Sequence, residues 1–288
     1  MLVRALLLIC LLSSLNQAFA IERRYLAPME ESLWTMTTAT AVHCEMEHVI
    51  PRFGKAIFYQ SAGRDLKLKL VTHQRFKSGL EVNFQSQAPH WKSEFSSLQL
   101  ASLSTRESNI LLEVGTRTAK HAYLELHAGF HPGFHFAPGK DLIDPTVVMM
   151  STVRFRSVEP EFEQCVSNLH HENYEDVRVS KIHFEHDEEF PILREEETAF
   201  QRMFDYMQLD PSIREVVISG HADKTGAICY NDSLSARRAW YVYDLLLAKG
   251  IDPKIITLDY FGEHRPLVKG GSDRALSANR RVTVELLK

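Results

Sequence analysis

The run Val216-Val217-Ile218-Ser219-Gly220, continued by His221-Ala222-Asp223 and then by a long segment ending near Lys249-Gly250, constrains this chain more than any other stretch. β-Branched residues closing in Ser-Gly predict a buried strand that stops at a turn. Asn231-Asp232-Ser233 bring short side chains able to accept hydrogen bonds from free amides, which predicts a helix start there, and Lys249-Gly250 with Pro253 just beyond predicts its end. At about 100° per residue, Leu234, Val242, Leu245 and Leu246 form one apolar arc, with Arg238 inside it and Arg237 facing out beside Asp244.

A guanidinium at the edge of a core must find a carboxylate or carbonyl partners, because an unpaired buried charge is costly. Asp223, at the carboxyl end of the predicted strand, is a natural neighbour for Arg238. The two offer acidic and basic groups at one loop-lined mouth, suited to a ligand end that carries both an ammonium and a carboxylate. A plain structural ion pair is the alternative, and spacing alone leaves both open.

Around this stretch, Val177 to Phe184 reads as a strand, Glu195 to Gln208 as a helix with Ala199, Met203, Tyr206 and Met207 toward a sheet, and Ile255 to Tyr260 and Val282 to Leu286 as two further strands. Right-handed crossovers then place both helices on one face of a mixed sheet, an α+β domain over 169–288.

The chain opens with a secretory signal: one arginine, an apolar core from Ala5 to Leu12 and the small-x-small sequence Ala18-Phe19-Ala20, leaving Ile21 as the first mature residue. Cys10 follows Ile9, where a lipoprotein signal wants Gly or Ala, so no lipid attachment is expected. No later segment approaches the length of a membrane span, which argues for the periplasm. Losing the signal removes one positive charge and takes the net charge from −4 to −5, which gives no global attraction to nucleic acid.

Residues 21–168 read as an all-β sandwich or small barrel. Candidate strands are Ala41 to Val49, Lys55 to Tyr59, Leu66 to Val71, Leu80 to Phe84, Ile110 to Gly115, Ala122 to Leu126 and Thr146 to Met150. Ser86 to Ser108 and Phe130 to Asp144 read as long surface loops, and Phe162 to Tyr174 as a short helix between the domains. His127, His131 and His135 have helical metal-ligand spacing, but Gly129, Pro132 and Gly133 argue against a helix, so structural or solvated roles are expected. His43, Glu45 and Glu47 share one face of a predicted strand, where an exposed sheet face is the plainer reading. No nucleophile elbow, HExxH motif or phosphate loop appears, so neither a catalytic residue nor a cofactor is expected.

Gly220-His221-x-Asp223, Tyr230-Asn231, Leu234-Ser235-x-x-Arg238-Ala239, Gly250-Ile251, Gly262-x-x-x-Pro266 and Asn279-Arg280-Arg281-Val282 together resemble the OmpA-like peptidoglycan-binding domain, over roughly residues 170 to 288. The resemblance implies that Asp223 meets the ammonium and Arg238 the carboxylate of the diaminopimelate side chain of a peptidoglycan stem peptide. It further implies that Asn231, Leu234 and Arg280 line the site. The family usually has Thr where Ala222 stands, which removes one hydroxyl contact.

In the first half, Arg24-Tyr25, Trp34, Cys44, Ile50-Pro51-x-Phe53-Gly54 and Cys165-x-Ser167-Asn168 resemble the T-ring proteins of the sodium-driven flagellar motor. That likeness implies a periplasmic protein whose first domain joins the flagellar basal body and the partner MotX, and whose second grips the cell wall to help place the stator complex. Of the cysteines past the signal, Cys44 with Cys165 is the expected disulfide, because Cys229 falls in the expected binding loop. Two other readings stand beside this one: an envelope enzyme that trims peptidoglycan and uses the second domain as an anchor, or a general link between outer membrane and cell wall.

Overall fold

A computed structural model of the chain describes residues 21–89, 92, 94, 96–137, 144–191 and 195–288; the signal segment lies outside them. The chain divides into two compact units, one of Met1–Thr38, Glu45–Gln60 and Asp65–Gln164, the other of Ala39–Cys44, Ser61–Arg64 and Cys165–Lys288.

The first unit draws on β1 (Arg23–Tyr25), β2 (Trp34–Ala39), β3 (His43–Ile50), β4 (Gly54–Ser61), β5 (Lys67–Thr72), β6 (Glu81–Gln87), β7 (Leu98–Ser104), β8 (Ile110–Val114), α1 (Thr116–His127), β9 (His131–Phe136), β10 (Thr146–Met149) and α2 (Phe155–Ser167). They form two five-stranded sheets, β2-β3-β4-β5-β8 and β1-β10-β9-β6-β7, and neither closes into a barrel. Alternation shows most plainly in β5, where Leu68 and Leu70 are buried while Lys67 pairs with Glu113 and Lys69 with Glu45. On β3 the half-exposed face carries His43, Glu45 and Glu47, and Glu47 takes Lys55 at 2.6 Å.

Three expectations for this unit need correction. Ala122 to Leu126 is helical: Ala119, Ala122 and Leu126 recur at turn spacing and are buried along α1, in a segment rich in helix formers. β7 runs through the Ser-rich stretch read as loop, paired to β6 at the sheet edge, where neighbouring strands impose the extended form on residues of low intrinsic preference. β9 runs through Pro132 and Gly133; the Pro132 carbonyl accepts from Met150 N at 2.9 Å, and Gly133 leaves room for the Met149 side chain.

The first core is aromatic. Trp34 is fully buried, donates from Nε1 to the Ser151 carbonyl at 2.8 Å, and stacks on His48 with ring centroids 4.8 Å apart. His48 accepts from Ser151 N at Nε2, so Nδ1 carries the proton and donates to the Leu33 carbonyl. Burial pushes the pKa of this imidazole down to about 4.

The second unit is built from α3 (Tyr174–Val177), β11 (Val179–His183), α4 (Glu195–Leu209), β12 (Glu215–Gly220), α5 (Ile228–Ala248), a 3₁₀ turn Pro253–Ile255, β13 (Ile256–Tyr260), α6 (Asp273–Asn279) and β14 (Arg281–Leu287). Its sheet runs β11-β14-β12-β13, with β12 parallel to β13 and β14 antiparallel to both β11 and β12. Val216, Ile218, Val282, Val284 and Leu286 project from one sheet face into a core shared with Met203 and Tyr206 of α4 and Ala239, Val242 and Leu246 of α5. Both long helices therefore cover the same face of a mixed sheet, the expected α+β arrangement. On α4, Phe200 is buried where Ala199 was expected inward.

Cys44 and Cys165 form a disulfide with Cα atoms 6.0 Å apart. Both cysteines belong to the second unit, so the bridge ties together pieces of one body that are 121 residues apart in sequence.

Candidate functional site

β12 ends at Gly220, and its approach to α5 is so close that a Cβ at this position would stand 2.2 Å from the Ser235 carbonyl oxygen. That contact fixes the loop 221–227 over the start of α5. The helix itself begins at Ile228, ahead of the expected cap, with Ala227 as N-cap and no side-chain cap bond. Asn231 lies inside its first turn, where Nδ2 donates to the Asp223 and Thr225 carbonyls at 3.1 Å each and to Glu263 Oε2 at 2.7 Å. The amide that looks like a cap in sequence holds the loop instead. At the far end, Gly250 takes φ +88° and Gly250 N and Ile251 N donate to the Leu247 and Leu246 carbonyls, the expected glycine stop.

A cavity of about 280 Å³ opens here, lined by His186, Asp187, Asp223, Thr225, Tyr230, Asn231, Leu234, Arg238 and Arg280 among others. All five residues expected from sequence therefore lie on one wall system. Asp223 is 4% exposed and does not pair with Arg238 as its position suggested. Its Oδ1 accepts from Thr225 N at 2.9 Å and from the Thr225 hydroxyl, and its Oδ2 from Arg280 Nη1 at 3.0 Å. Burial alone would raise its pKa; the Thr225 and Arg280 donors outweigh that and hold the carboxyl below its ordinary range.

Arg238, aimed inward as the helical register requires, is fully buried and answers its charge with carbonyls. Nε donates to the Glu188 carbonyl at 2.8 Å, Nη2 to that of Glu185 at 3.0 Å and Nη1 to that of His221 at 3.4 Å, while the guanidinium lies 4.9 Å from the Phe184 ring centre. Burial, with Arg280 nearby, pushes its pKa down to about 10, against the opposing pull of Asp223. Arg237 faces outward as expected, but its partner is Glu189, at 2.5 Å.

Sequence reasoning missed His186, Asp187 and Thr225, and gave Tyr230 only as part of the family motif, with no place in the site. Tyr230 donates to Asp187, a residue held at φ +61°, so the segment following β11 forms the opposite wall. Its signal was the polar run Glu185-His186-Asp187-Glu188-Glu189 directly after a strand. Cys229 is a free, exposed thiol in the first turn of α5 rather than in the loop.

The histidines 127, 131 and 135 are spent separately, on Glu159, the Met150 carbonyl and Gln87. Among the described residues no group of three His, Cys, Asp or Glu side chains is arranged to hold a metal, and no helix is long and apolar enough to cross a membrane. What the cavity offers is carboxylate and guanidinium side by side at a half-open mouth, which suits capture of a small doubly charged group.

Comparison with known proteins gives two family matches: the MotY N-terminal domain model over residues 25–170 and the OmpA family model over residues 186–280. The chain is 26% identical over 277 residues to the sodium-type flagellar protein MotY of Vibrio parahaemolyticus, covering 96% of this chain and 94% of that one. It is 35% identical over 77 residues to the peptidoglycan-associated lipoprotein of Pseudomonas aeruginosa, covering 27% of this chain and 46% of that one. Among solved structures, the peptidoglycan-associated lipoprotein of Burkholderia pseudomallei aligns with a TM-score of 0.35 and 22% identity, over 38% of this chain and 90% of that one.

Proposed function

This chain belongs to the MotY family, and on that premise we propose that it is a periplasmic, non-catalytic component of the sodium-driven polar flagellar motor. In this reading the first unit associates with the basal body in a T ring together with MotX, and the second anchors to peptidoglycan, supporting stator assembly and rotation. A relative named as a sodium-type flagellar protein that matches along nearly the whole chain supports the motor assignment. The observation that carries the anchoring is the half-open cavity whose lining brings together Asp223, Arg238 and Arg280.

The ligand is the free zwitterionic end of a diaminopimelate side chain, its ammonium at Asp223 and its carboxylate at Arg238, with Arg280, Asn231 and Leu234 shaping the walls. Both contacts are charge-assisted, but one small group held this way binds weakly. Many copies meeting many stem peptides would supply the tenacity that torque demands.

Asp223→Asn removes the charge and keeps an acceptor for Thr225, while its Nδ2 replaces the oxygen that accepts from Arg280 Nη1. It is expected to leave a folded, exported protein that no longer cosediments with cell-wall sacculi, and undiminished cosedimentation would refute the anchoring. Deleting the coding sequence is expected to abolish swimming and stator foci at the flagellar base; swimming that persists would overturn the motor assignment and favour a general envelope linker.

A further inference from the structure

A second cavity, of about 230 Å³, lies on the other side of Ala222, the residue it shares with the first. Its lining differs in charge. Lys224 and Lys269 contribute two ammonium groups, neither with an ion-pair partner among the described residues, and Glu263 contributes a carboxylate already engaged by Asn231 Nδ2 at 2.7 Å. The cavity is therefore lined with more positive than negative charge, and its one acid is turned toward the first site.

The walls are built rather than loose. Asn279, at the end of α6, accepts from Leu267 N at 2.7 Å and Val268 N at 3.0 Å and donates to the Val268 carbonyl at 2.9 Å, pinning the segment that carries Lys269. Lys224 lies across Gly271 so closely that a Cβ there would stand 3.1 Å from its Nζ. The ammonium is thus placed over the loop by the absence of a side chain beneath it.

We propose that this second cavity is an extension of the ligand site and takes a carboxylate on the residue next to the zwitterion in the same peptide. The inference rests on the stem-peptide reading of the first cavity. Two ammonium groups with no ion-pair partner among the described residues favour an anion, and the shared Ala222 makes the two cavities direct neighbours.

The test compares three probes on the full mature chain by calorimetry: diaminopimelate alone, γ-glutamyl-diaminopimelate, and the same dipeptide with the glutamyl α-carboxylate amidated. The dipeptide acid is expected to bind about five-fold tighter than its amide, the scale of one partly exposed ion pair. Lys224→Gln with Lys269→Gln should remove that preference and leave diaminopimelate binding unchanged, and Gly271→Ala, which displaces the ammonium without deleting it, should reduce the preference. Equal binding of acid and amide by the wild type, or a preference that survives the double substitution, overturns the extension and leaves the first site intact. Failure of the wild type to bind diaminopimelate at all overturns both readings together.

Discussion

Arg238→Ala should do more than remove a ligand contact. The guanidinium is fully buried and supplies the donors for the carbonyls of Glu185 and Glu188 at 3.0 and 2.8 Å, with a longer bond of 3.4 Å to that of His221. Hydrogen bonds to a charged donor are each worth roughly 1.5–3 kcal/mol. Counting the two short ones and allowing for the recovered hydration of the deleted charge leaves a cost of about 2–4 kcal/mol, a large part of the ~5–15 kcal/mol that holds a domain together. Thermal unfolding should shift downward, and amide exchange in residues 185–191 should accelerate by about thirty-fold or more, since 2 kcal/mol corresponds to that factor. Arg238→Lys, which keeps the charge but offers a single point of donation, should fall between wild type and alanine. An alanine variant with an unchanged unfolding midpoint and unchanged loop exchange would refute the claim that this side chain builds the wall. Asp223→Asn, which keeps the Thr225 acceptor and loses the Arg280 ion pair, disturbs fewer wall contacts than a change at 238 and is the better test of ligand capture.

Two further expectations concern the scaffold. His48 is neutral in the folded chain with its pKa near 4, against about 6.5 when unfolded, so the unfolded state binds the extra proton between those values and stability falls as pH drops through that window, by about 3 kcal/mol for this group near pH 4; His221, pushed down to about 4 by burial and by Arg281 and Arg265, adds in the same direction. His48→Gln should flatten the pH profile of the melting temperature, and an equally steep profile would remove His48 as its source. Replacing Cys44 and Cys165 by serine opens a loop of 121 residues and should cost about 4–5 kcal/mol, read as the denaturant midpoint with and without reductant; coincident midpoints would show that the bridge does not stabilise the fold.

The second unit was the more legible from sequence because its strands are β-branched runs and its long helices are periodic over many turns, signals that survive without tertiary context. Of the charged residues of the site, Arg238 followed from register, since it had to point inward once Leu234 and Val242 did; Asp223 followed from its place at a strand end, and Arg280 only from the family resemblance. Their pairing did not follow, because a carbonyl partner leaves no mark in a sequence, and the carbonyls of Glu185 and Glu188 come from a segment some fifty residues away. The cap was misplaced for a related reason: Asn231 has a cap's chemistry but spends its amide on the loop and on Glu263. α6 escaped notice because seven residues between a glycine-rich turn and a strand carry too little period. In the first unit, α1 was split by a reading that favoured short strands, and β7 and β9 were hidden by Ser, Pro and Gly. Those residues hold extended form there because neighbouring strands pair with them.

Because backbone oxygens from the segment after β11 already satisfy Arg238, that wall of the cavity stands complete before anything enters it. On the proposed reading, capture then requires no chain ordering, so association can be quick and each hold brief. A population of such grips behaves as a friction clutch: it bears a steady load through constant release and recapture, and it lets a protein shift its footing as the wall beneath it is rebuilt.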